Sequence, residues 1–141
     1  MILHQTKGGE ISYDEANRIV TARFFGFMNS DGFRAFMLKG LEILQQKLAQ
    51  HDNVMWLADT REHKVVPKKD TDWVAEAWTP KAQKSGLTHI AFILPSDVFA
   101  QMSIENYQAV TVKSVKIKNF GSIENARQWY RSEVSTDSVA K

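Results

Sequence analysis

The sequence predicts a single α/β domain in which a mixed β-sheet carries about four helices packed on it. Three observations lead there. Two short and uniformly apolar runs, residues 54–58 and 90–94, read as strands covered on both faces, as parallel strands under helices are. Between them and the amino terminus, Phe33, Phe36, Met37, Leu41, Leu44 and Leu48 recur at three- and four-residue spacing, the stripe of a core-facing helix. Ahead of that helix, residues 11–13 and 19–27 flank Asp14-Glu15-Ala16-Asn17, whose polar ends favour a turn by bonding their own backbone.

The elements follow in order. The opening meander leads to Ser30, a residue able to cap the long helix, whose other face carries Lys39, Gln45 and Lys47. The strand at 54–58 comes next, then a helix opening at Asp70 or Thr71, where Trp73 with Ala77 and Val74 with Trp78 form adjacent i, i+4 pairs. Pro80 removes a backbone donor and pushes Thr79 from helical angles, so a break is expected there, with Thr79 capping a short second piece to Lys84. Ser85-Gly86 ends it, residues 87–94 return as a strand, and Ser96 with Asp97 opens a helix through Val98, Phe99 and Met102. Residues 115–120 alternate apolar and basic, which suits a sheet edge guarded by lysine. Ser122 caps a last helix bearing Ile123, Ala126, Trp129 and Tyr130. The domain is expected to occupy residues 1–131, with 132–141 a polar tail too poor in apolar surface to order itself.

Length and composition narrow the function classes. The 141 residues, 43% of them hydrophobic, suit one ordinary core. A net charge of +2 from 18 basic and 16 acidic residues spread along the chain gives no footprint for nucleic acid. No cysteine is present, which removes disulfides and thiolate metal sites. The apolar runs are too short to span a bilayer and the amino terminus lacks the features of a signal peptide, so a cytoplasmic location without an integral membrane segment is expected. His4, His51, His63 and His89 are scattered and do not suggest a metal site, and nothing calls for a cofactor.

The sharpest candidates are Asp59, Thr60 and Arg61, because strand ends in an open α/β sheet project into the crevice beyond the carboxyl edge. An aspartate can accept hydrogen bonds there, an arginine can clamp an anion, and Thr60 is a candidate phosphorylation site. Their plain alternative is structural: Asp59 satisfying loop amides and Arg61 pairing with a surface acid. Ser96 and Asp97 read as a helix cap whose amides could also hold an anion. Trp73 and Trp78 fit a core at their helical spacing, but exposed they would serve as a partner anchor or a pocket wall.

Several of these strings, taken in order, resemble the SpoIIAA-like, or STAS, family, especially its uncharacterised bacterial branch often described with the CRAL-TRIO lipid-binding fold. They are Phe25-Gly26-Phe27, Trp56-Leu57-Ala58-Asp59-Thr60-Arg61, the Trp73 to Trp78 segment with Pro80, Ile90-Ala91-Phe92-Ile93-Leu94-Pro95, and Phe120 with Glu124-Asn125-Ala126-Arg127-Gln128-Trp129. The resemblance implies a domain that works by binding, as anti-sigma-factor antagonists do on a kinase-like partner. It also implies a phosphorylation switch at a serine of an Asp-Ser-Ser-Gly stretch. This chain has Asp59-Thr60-Arg61-Glu62 there, so Thr60 takes the first serine place, Arg61 the second, and Glu62 the glycine.

The leading expectation is therefore a non-enzymatic binding or regulatory module with a protein partner, its site around Asp59, Thr60, Arg61 and the helix opening at Ser96. The alternative is a carrier of a small apolar, lipid or phosphate-bearing ligand in a pocket near the Trp73 helix. A third reading, an enzyme built from Asp59, Arg61, His63 and Asp97, needs those side chains to converge. A homodimer fits an unpaired sheet edge or exposed aromatics.

Overall fold

The computed structural model describes residues 1–63, 66–95, 98–110 and 114–140, apart from the side chains of 98–99, 110 and 135–140. Six strands, β1 (Ile2–Gln5), β2 (Gly9–Asp14), β3 (Ile19–Phe24), β4 (Met55–Asp59), β5 (His89–Ile93) and β6 (Lys116–Phe120), form one sheet in sequential order. The first three pair antiparallel and β3 through β6 run parallel. The mixed α/β sheet expected from sequence is thus present, with β1 added at one edge. β6 forms the other edge, where Lys116 and Lys118 are exposed.

The helical segments are α1 (Ser30–Gln50), α2 (Lys68–Trp73), a π turn (Val74–Trp78), α3 (Thr79–Lys84), α4 (Val98–Val110) and α5 (Ile123–Ala140). From α2 to α3 the chain is one continuous rod, which leaves four rods among the described residues. Alternate residues of β4 explain its uniform apolarity. Trp56 and Ala58 join the core under α1, the rod and α4, whereas Met55 and Leu57 meet Ala126 and Tyr130 of α5 on the other face. On α1, Gly40 leaves room for Trp56, whose ring lies 2.5 Å from where a Cβ would stand.

Several local expectations are corrected. Asn29, not Ser30, caps α1, its Oδ1 accepting from the Gly32 amide at 2.7 Å. Ser30 instead donates to Asp70 across 2.6 Å. The rod begins at Lys68, behind Pro67, rather than at Asp70 or Thr71. It does not break at Pro80, and Thr79 is not a cap. The Thr79 amide reaches back five residues to the Val74 carbonyl, and this wide turn accommodates a proline that a regular helix would reject. Ser122 does cap α5 at the Asn125 amide, and Gly86, at φ 116°, ends the rod as expected. Backbone helix in α5 covers the stretch read as a polar tail, for Val134 packs on the apolar cluster and Glu133 meets His89 and Lys116. No helix among the described residues is long and apolar enough to cross a membrane.

Candidate functional site

The parallel register brings the carboxyl ends of four strands into one row, Arg23 beside Asp59, Asp59 beside Ile93, and Ile93 beside Phe120. At this row Asp59 is buried and meets Arg61 side-on, with Nε to Oδ1 at 2.9 Å and Nη2 to Oδ2 at 2.7 Å. The bond from Asp59 raises the Arg61 guanidinium above its ordinary range, so the pair is a fixed ionic fork. Arg61 itself is half exposed and lines a shallow cleft of about 290 Å³ with Arg23, Phe24, Asp59 and Glu62. Arg23 closes that rim by reaching Glu62 at 3.2 Å and Glu10 at 3.5 Å.

Thr60 lies inward. It is 3% exposed, and its hydroxyl donates to the Ile93 carbonyl at 2.6 Å while its amide donates to the same oxygen at 3.0 Å. Two bonds to one carbonyl tie the end of β4 to β5. This is the setting of a strand-end latch, with the hydroxyl turned away from solvent.

Beneath these ends, between the sheet and the helices on it, lies an apolar cavity of about 70 Å³. Sequential strand order explains its position. The core that joins β3, β4 and β5 to α1, the rod and α4 forms on one face, so the space opens under the rod rather than between helices on opposite faces. Phe24, Trp56 and Phe92 form its floor, Met37 and Trp78 part of its roof, and Tyr107 a wall. Trp78 is 1% exposed and its indole N–H donates to the Met37 carbonyl at 2.7 Å, which fixes the ring. The Thr79 hydroxyl meets the Tyr107 hydroxyl at 2.8 Å behind this wall, fastening the rod to α4.

The polar residues at the cavity are mostly occupied. Ser103 accepts from the Val66 amide and donates to the Val66 carbonyl, and Thr71 donates to Lys68 within its own helix. His63 is the exception, since its Nδ1 is buried without a hydrogen-bond partner among the described residues. The imidazole sits 4.6 Å from the Phe24 ring and stacks at 19° on Phe33. Burial among these rings lowers its pKa to about 4, so the ring is neutral near pH 7. His63, Phe33 and Val66 also line a smaller depression with Phe27, Met28 and Pro67, next to the cavity.

The sequence-derived candidates therefore separate. Asp59 and Arg61 form the rim pair, Thr60 and Trp78 line the cavity, and Trp73 is half buried with the Arg34 guanidinium 5.1 Å over its ring. Ser96 and Asp97 lie outside the described residues. His63 does not join Asp59 and Arg61, for it faces the cavity whereas they face the rim. Sequence reading placed no weight on Val66, Ser103 or Tyr107 as cavity walls. Tyr107 could have been found, as an aromatic on α4 in line with the helical stripe Ala100, Ser103, Ile104 and Tyr107.

A family model for SpoIIAA-like domains matches residues 19–131, from β3 through the first half of α5. The chain belongs to the SpoIIAA-like family. No curated protein and no solved structure matches it. The SpoIIAA-like match spans the rim pair, the cavity and the π turn, and leaves β1 and β2 outside.

Proposed function

We propose that this SpoIIAA-like domain is a non-catalytic binding module that takes a small, largely apolar molecule, or the apolar end of one, into the cavity beneath the π turn. The observation behind this is the cavity itself, walled by aromatic and aliphatic side chains and bordered by a depression that shares His63, Phe33 and Val66 with it. Its volume of about 70 Å³ sits below that of an engineered apolar cavity of about 150 Å³ that accepts benzene, which favours a slim ligand. The Nδ1 of neutral His63 offers one polar contact, an acceptor or a donor according to the tautomer, matching a ligand with a single hydroxyl. On this reading Thr60 is a wall and latch residue rather than a phosphate acceptor.

Xenon and 1-propanol, titrated into the full chain and followed by NMR at pH 7, test the reading. Saturable shifts are expected at the Trp78 indole N–H and the His63 ring. They should weaken about tenfold in Val66→Phe, which adds bulk to the cavity lining, provided that variant keeps the wild-type melting temperature. Shifts absent from both positions would remove the proposal.

A second reading, a protein partner docking on the same end, is favoured by Phe27, which is 79% exposed at the small depression beside the cavity, and by Arg61 on the neighbouring rim. The two readings are compatible, because a ligand at His63 would lie beside the surface a partner reads. Equal partner recovery by the wild type and a folded Phe27→Ser, Arg61→Ala variant would count against this surface.

A further inference from the structure

At the opposite end of the sheet, three arginines converge. An open cleft of about 360 Å³ lies between the β2–β3 turn, the α1–β4 loop and α5, lined by Asn17, Arg18, Asn53, Arg127, Tyr130 and Arg131 among others. Arg127 and Arg131 stand four residues apart on α5, so both reach the same side of the helix. Arg18 comes from the turn, where it adopts φ 57°, and its carbonyl accepts from the Met55 amide at 3.0 Å. A non-glycine residue in the left-handed region is uncommon, and here it sets the base of the arginine beside the cleft.

The guanidinium groups are incompletely used. Arg131 touches the Asn17 side-chain oxygen at 3.4 Å, and Arg127 reaches Asp14 at 3.5 Å and Glu124 at 3.9 Å. Among the described residues the Arg18 side chain has no hydrogen-bond or ion-pair partner. Asp14 is itself engaged by the amide and side-chain nitrogen of Asn17, and the other nearby acid, Glu15, pairs with His51. Three like charges line one cleft, and the carboxylates of Asp14, Glu15 and Glu124 stand around it without being among the residues that line it. Three arginines lining one space suit the several oxygens of a tetrahedral oxyanion, since a guanidinium can hold such oxygens through paired N–H donors.

We propose that this cleft binds a phosphate group, free or as the terminal group of a small organic molecule. The volume exceeds the need of the anion alone, and Tyr130 and Val134 supply an apolar wall for an organic body. The site stands apart from the apolar cavity and does not depend on it.

Inorganic phosphate and phenyl phosphate, each titrated into the full chain at constant ionic strength with chloride as control, provide the test. Saturable NMR shifts are expected around Asn17, Asn53 and Tyr130, with affinity falling about tenfold or more in Arg18→Gln, Arg131→Gln. Arg18→Gln alone, which removes no described protein contact, should give an intermediate loss and covers the case in which the double variant fails to fold. Tighter binding of phenyl phosphate assigns the site to an organic phosphate, and tighter binding of the inorganic ion to free phosphate. Shifts that grow linearly, match those from chloride, or persist unchanged in Arg18→Gln overturn the proposal.

Discussion

At the residue scale the informative side chain is His63, because a titratable ring in an apolar site couples folding to pH. Its folded pKa, about 4, lies below the 6.5 of an ordinary histidine, so the unfolded chain binds the proton more readily in between. Stability from this residue is complete above about pH 6.5 and is lost as the pH falls toward 4. Between pH 7 and pH 5 the loss should be about 2 kcal/mol. His63→Phe, which fills much the same space without a titratable nitrogen, is expected to flatten that part of the profile in urea denaturation at the two pH values. An equally steep profile in the variant would place the effect elsewhere. A ligand that binds only the neutral ring would move the same loss to lower pH.

At the scale of elements, the π turn is where the sequence misleads and the structure explains itself. Pro80 reads as a helix breaker when the i→i−4 ladder is the only one considered. The break vanishes because Thr79 bonds five residues back, and that choice is fixed by distant partners, Met37 for the Trp78 indole and Tyr107 for the Thr79 hydroxyl. Neither partner is visible from local periodicity, so Trp78 could be offered as a pocket wall from sequence but the bonds that seat its helix over the sheet could not. Strand-end polarity, by contrast, is written locally, and Asp59 and Arg61 could be located from the string that follows an apolar run. Their mutual fork could not, since whether Arg61 folds back on Asp59 or reaches outward depends on the surrounding surface. Deleting Ala77 tests the role of the extra residue in the turn. The rod would regain a regular helical register, but Thr79 and Ala82 would rotate about 100° away from α4 and the core. Thermal melting should then fall by about 10 °C, equivalent to roughly 3 kcal/mol, with the shifts from xenon at Trp78 lost. Wild-type melting in this deletion would mean that the wide turn is incidental.

At the scale of the whole molecule, the sheet and its family were legible because two-faced burial leaves an unmistakable run in β4 and β5. The contacts of residues 133 and 134 were not, because composition weighs only a segment's own apolar surface and ignores what the rest of the fold offers it. Residues 132–134 show the difference. Glu133 lies 3.2 Å from both the buried ring of His89 and the ammonium of Lys116, and the Lys116 bond holds its carboxyl below the usual carboxylate range. It thereby joins α5 to the edge strand and its neighbour, while Val134 extends the apolar contact begun by Ala126 and Tyr130. A chain ended after Arg131 would lose both, leaving His89 without this acceptor and one flank of the second core open. The expected cost is about 1–3 kcal/mol, read as an earlier urea midpoint than that of the full chain. Glu133→Gln separates the two contributions, since it keeps the helix and Val134 but removes the charge, and should recover part of the stability that truncation removes. Equal stability of the full and shortened chains would return the boundary to residue 131 and make the last turns of α5 an appendage.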